Sequence, residues 1–97
     1  MPHSIVIADD HRLIAETLGN FIQTFRDYDV LYKAENGKVL IERFQAPINI
    51  PDIVLLDINM PVMDGFETAQ WLTRNHPAVH ILVLSMEDGE DTLIRMI

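Results

Sequence analysis

Three short apolar runs, each stopping on a polar side chain, constrain the fold of this 97-residue chain more than any other feature. Ser4–Ala8 runs into Asp9 and Asp10, Ile53–Leu56 into Asp57, and His80–Leu84 into Ser85. A run apolar on both faces is how a buried parallel strand reads, because neighbouring layers cover it on each side. Between the runs the period changes. Leu13 opens a stretch in which Ile14, Leu18, Phe21, Ile22 and Phe25 recur at helical spacing, predicting an amphipathic helix that ends near Arg26 and Asp27. Val30–Ala34 reads as a second strand, and Asn36-Gly37 punctuates it before a short helix from Lys38 to Phe44. Pro47 and Pro51 close that helix. A third helix is predicted from Phe66 to Asn75, with Phe66, Ala69 and Leu72 inward, and a fourth begins at Thr92 and runs to Ile97.

Strands that alternate with helices run parallel, each helix returning the chain by a right-handed crossover. The class is therefore α/β, an open, doubly wound parallel sheet. In such a sheet all strands end on one edge, the edge where ligands bind. Asp9, Asp10, Asp57 and Ser85 belong there, and the aspartates converge if the first and third strands are neighbours. Three ionised carboxylates cannot share a site without a counter-charge. An oxygen-only donor set suits Mg²⁺, or Mn²⁺. A single aspartate after a strand could equally be a helix cap; three acids and a hydroxyl gathered at the ends of three strands point to a site.

Charge and composition narrow the partners. Fifteen acids against seven bases leave a formal net charge of −8, which repels phosphate backbones and argues against direct nucleic-acid binding. The apolar runs are far too short to span a membrane, and Asp9 and Asp10 fall where a signal peptide needs apolar residues. Without cysteine there are no disulfides or thiolate metal sites, which fits a cytoplasmic protein.

Ala8-Asp9-Asp10-His11, the loop Asp57-Ile58-Asn59-Met60-Pro61-Val62-Met63-Asp64-Gly65 and Ser85 together resemble a bacterial two-component response-regulator receiver domain. The likeness is nearest to the LuxR/FixJ-type subfamily that carries a helix-turn-helix domain, and it covers the whole chain. It implies a flavodoxin-like fold with strand order 2-1-3-4. It also implies that Asp57 accepts a phosphoryl group from a sensor histidine kinase or phosphotransfer protein. Asp10, Asp57 and the backbone carbonyl of Asn59 would hold Mg²⁺, with Asp9 acting in part through water, and Ser85 would be the switch hydroxyl. Pro61 and Gly65 support the loop. The Asn59 side chain, two positions past the acceptor, either influences attack of water on the acyl phosphate or caps its own loop. Leu13 lies off the apolar arc of its helix and near the acidic edge, which suits contact with a kinase helix and equally fits a scattered surface leucine.

Met60 and Met63 read as core or loop packing. His3, His11, His76 and His80 lack paired ligand spacing and default to surface or structural roles, although His11 directly follows the acidic pair. Trp71 falls off the inward face of its helix, as a contact surface or half covered by a neighbouring helix. Against the family pattern, residues 1–97 form a receiver incomplete at its C-terminus, ending inside the fourth helix. The lysine of the fifth strand has no counterpart, since Lys33 and Lys38 lie on the second strand and helix. A fourth strand left as an edge predicts self-association or exchange of elements between chains. Two other functions compete with the signalling switch. One is a degenerate receiver that only binds proteins. The other is a small Mg²⁺-dependent aspartyl phosphatase, against which Asn59 stands where such enzymes carry a second acid.

Overall fold

The structure is a computed structural model that describes residues 2–87 and 91–96, those from 85 onward by their backbone alone. Its elements in chain order are β1 (His3–Ala8), α1 (Arg12–Ile22), β2 (Tyr28–Ala34), α2 (Gly37–Arg43), a 3-10 turn (Pro47–Asn49), β3 (Ile53–Asp57), α3 (Gly65–Asn75), β4 (His80–Glu87) and β5 (Asp91–Met96). They form one sheet of order β2-β1-β3-β4-β5. The first four strands are parallel in the expected order 2-1-3-4, so β1 and β3 are neighbours and Ala8 pairs with Leu56 immediately before the two acidic ends.

The segment read as the start of a fourth helix is instead β5. It lies antiparallel to β4, from Leu82 opposite Met96 to Glu87 opposite Asp91. The open side of β4 offers a row of backbone donors and acceptors, which this segment pairs. The β4 edge through which self-association was expected is thus paired within the chain. β4 also continues to Glu87, so Ser85 lies inside the strand opposite Leu93 and not at its end. The Ser85 side chain is outside the described residues.

Alternation along β1 sends side chains to two cores. Val6 and Ala8 face one side with Val54, Leu56, Ile81 and Val83, beneath Leu40 and Phe44 of the α2 region and Leu72 of α3. Ile5 and Ile7 face the other with Ala15 of α1, flanked by Leu18, Ile22, Val30, Ile53 and Leu55. Met60 joins the first core.

Two helical faces differ from the sequence reading. α1 turns Ala15, Leu18, Gly19 and Ile22 inward and ends there, leaving Phe21 61% and Phe25 48% exposed, stacked edge-on against each other at 5.2 Å. α3 buries Gly65, Thr68 and Leu72, leaving Phe66 65% exposed. A glycine takes the inward position at the start of α3, and about 100° of rotation per residue swings Phe66 away. Trp71 is half-buried against Phe44 at 5.9 Å and His76 at 5.3 Å.

The amino edge of the sheet is held by side-chain bonds. Ser4 donates from its backbone N–H (2.8 Å) and Oγ (3.2 Å) to Asp52 Oδ2, and Asp52 N–H donates back to Ser4 Oγ at 2.9 Å. His80 N–H donates to the Asp52 carbonyl at 2.9 Å, so the starts of β1, β3 and β4 are tied together. The Ser4 backbone donor holds the Asp52 carboxyl below the usual carboxylate range.

Candidate functional site

The carboxyl edge brings the chemistry together. Asp9 follows β1, Asp57 ends β3, and Asp10 and His11 lead into α1. One ligand atom from each of Asp9, Asp10, His11 and Asp57 lies within 4.8 Å of the others. Asp9 and Asp57 are each 7% exposed, whereas Asp10 stands at the mouth. His11 N–H and His11 Nδ1 both lie 2.9 Å from Asp9 Oδ1. Nδ1 is also 3.2 Å from Asp10 Oδ1 and 3.7 Å from Asp57 Oδ2. Among the described residues Asp57 Oδ2 is buried with no hydrogen-bond partner.

The sequence model of the response regulator receiver domain matches residues 5–97. The chain belongs to that family. Its relatives include the transcriptional regulatory protein DegU of Brevibacillus brevis, 36% identical over 89 residues, a match covering 89% of this chain and 36% of DegU. A protein-glutamate methylesterase/protein-glutamine glutaminase of Geobacillus kaustophilus is 33% identical over 95% of this chain and 26% of its own length. The chain thus spans well under half the length of these curated relatives. Among solved structures, the signal receiver domain of a NarL response regulator from Mycobacterium tuberculosis superposes with a TM-score of 0.79 at 29% identity, covering 90% of this chain and 68% of that one. Receivers are signalling domains, and no helix among the described residues of this one is long and apolar enough to cross a membrane.

The electrostatics of the receiver pocket follow from its crowding. Burial first, then the charge of Asp9, pushes the Asp57 carboxyl up to about 6. The hydrogen bond to Asp9, followed by the charge of Asp10, raises the pKa of His11. An orphaned, buried carboxylate oxygen facing two further acids is the donor chemistry that a hard divalent cation satisfies, so these residues fit the Mg²⁺ that receivers use in an acidic pocket. The Asn59 backbone N–H beside Asp57 offsets part of the rise at its carboxyl.

The loop after β3 is built to tight tolerances. Met63 N–H donates to the Pro61 carbonyl at 2.7 Å, closing a three-residue turn with Val62 at φ 68°. A β-branched residue there is strained by about 1–3 kcal/mol, and Val62 is 76% exposed, so its side chain recovers little by packing. Val62→Gly is expected to stabilise the fold by about 0.5–1 kcal/mol after the entropy cost of glycine. A lower denaturant midpoint for that variant would contradict the strain. Asp64 then caps α3, its side chain accepting from Glu67 N–H at 2.9 Å.

The structure thus gathers Asp9, Asp10 and Asp57 as the sequence suggested, with Asn59 and Pro61 in the adjoining loop, Gly65 opening α3, and Leu13 77% exposed on the first turn of α1. Lys33, set aside on the second strand, lines a cleft of ≈ 370 Å³ beside Asp9 and Asp10, together with Arg12 and Glu35. His11 is the residue sequence reasoning undervalued. Its adjacency to the acidic pair was visible, but spacing does not show that its ring turns back onto all three acids.

Proposed function

We propose that this receiver accepts a phosphoryl group on Asp57 from the phosphohistidine of a sensor kinase or phosphotransfer protein, with Mg²⁺ bound beside it. The observation that carries this reading is the buried, unpartnered Asp57 Oδ2 facing Asp9 and Asp10. A carboxylate oxygen of Asp57 attacks phosphorus, an acyl phosphate O–P bond forms, and the P–N bond breaks with its electron pair passing to the departing imidazole. Asp10, Asp57 and the Asn59 carbonyl would hold the ion, with Asp9 assisting in part through water. The bound ion supplies neutralisation of charge that the acids would otherwise turn against an incoming phosphoryl group.

Ser85 is the proposed switch hydroxyl, and the exposed Leu13, next to the acidic mouth, is the proposed kinase contact. In the whole protein the output is proposed to be a DNA-binding transcription regulator, on the support of relatives named as transcriptional regulatory proteins. The chain itself, at a net charge of −8, is not the nucleic-acid-binding part.

Intact-mass spectrometry after incubation with Mg²⁺ and acetyl phosphate tests the acceptor. One phosphoryl increment is expected, absent from Asp57→Asn and absent without the ion. No increment in folded protein, or an increment that survives in Asp57→Asn, overturns the assignment.

A further inference from the structure

Receiver acids alone do not account for His11, whose ring is turned back into the acidic mouth although 58% of its side chain is open to solvent. Among the described residues three carboxylate oxygens face Nδ1: Asp9 Oδ1 at 2.9 Å, Asp10 Oδ1 at 3.2 Å and Asp57 Oδ2 at 3.7 Å. Ionised carboxylates only accept, so Nδ1 carries the proton and its N–H points into the space between them. Adjacent ligands of octahedral Mg²⁺, each ~2.1 Å from the ion, stand ~3.0 Å apart. A cation within reach of these three oxygens would therefore meet the imidazole N–H head on.

We infer that the His11 side chain is a resident stand-in for the divalent cation, and that the ion binds by displacing the ring from Asp9 and Asp10. This rests on the Mg²⁺ reading proposed above. Asp9 stays oriented after the ring leaves, because the His11 backbone N–H makes its own 2.9 Å bond to Asp9 Oδ1. Loss of the ring thus removes a competitor without dismantling the pocket. His11 is in this sense a positioning residue that sets the ion concentration at which the receiver becomes competent.

Calorimetric titration of the chain with MgCl₂ alone, for the parent, His11→Ala and His11→Lys, tests this. His11→Ala is expected to bind roughly 3- to 10-fold more tightly, the equivalent of one modest hydrogen bond released. His11→Lys, with a fixed cation on a longer stem, is expected to bind more weakly than the parent. Nitrogen NMR of the parent adds an independent readout, in which the His11 Nδ1 resonance moves toward that of a solvent-exposed imidazole as Mg²⁺ is added. Equal or weaker binding by His11→Ala, as a metal-ligating imidazole would give, overturns the displacement while leaving the ion site intact. Absence of Mg²⁺ binding in all three chains overturns the ion site itself and this inference with it.

Discussion

Asp57→Asn is expected to melt at a higher temperature than the parent in ion-free buffer at pH 7.5, by about 1–3 kcal/mol, or on the order of 5–15 °C for a chain of this size. The substitution keeps the shape of the side chain and removes a buried charge that faces Asp9 and whose Oδ2 has no hydrogen-bond partner among the described residues. The gain depends on pH in a definite direction. The folded carboxyl holds its proton up to about 6, the unfolded one only to about 3.9, so the folded state binds more protons between those limits. Parental stability therefore falls as pH rises from about 4 through 6, and the advantage of Asp57→Asn closes on acidification to near pH 4. Thermal melts at pH 4.5, 6 and 7.5 check this. Mg²⁺ should restore the parent and do less for the variant. A variant that melts lower at pH 7.5, or whose advantage grows in acid, contradicts the electrostatic account.

Gly65→Ala carries the second large effect, of opposite sign. The start of α3 presses directly on the strand end: Gly65 N–H donates to the Ile58 carbonyl at 2.8 Å, and a Cβ at Gly65 would overlap the Asp57 carbonyl oxygen and lie 2.7 Å from Ile58 Cα. Both obstacles are backbone and cannot swing aside. The variant is expected to lose about 2–3 kcal/mol, because α3 or the end of β3 must shift. That shift displaces Asp57 itself, so phosphoryl labelling should slow even where the protein remains folded. Gly19→Ala is the control. Its Cβ would meet the flexible end of Lys33 at 3.0 Å and Ile7 Cδ1 at an ordinary 3.8 Å, within α1, where alanine is the better helix former. Denaturant titrations that found Gly65→Ala and Gly19→Ala alike would remove the close-approach argument.

How far the sequence spoke for the structure depended on what decided each element. β1 and β3 were legible because burial on both faces leaves an unbroken apolar run, and Asp9, Asp10 and Asp57 were legible because parallel strands end together. β5 was not, because the pairing of residues 91–96 is decided by the open edge of β4 and not by their local pattern. Helical periodicity places Phe21, Phe25 and Phe66 inward, yet Gly19 and Gly65 occupy the close-packed positions that periodicity counts as empty. The site followed the same division. Its acids came from strand ends, whereas the His11 ring and the strained Val62 turn depend on torsions that no residue spacing records.

The Ser4–Asp52–His80 bonds at the amino edge have a consequence for motion. The strands are laced at their starts and carry mutually repelling acids at their ends. Such a sheet resembles a hand fan pinned at the handle: thermal excursions that widen the spaces between strand ends cost least where the acids sit. Neutralising those acids is expected to narrow that spread without disturbing the pin.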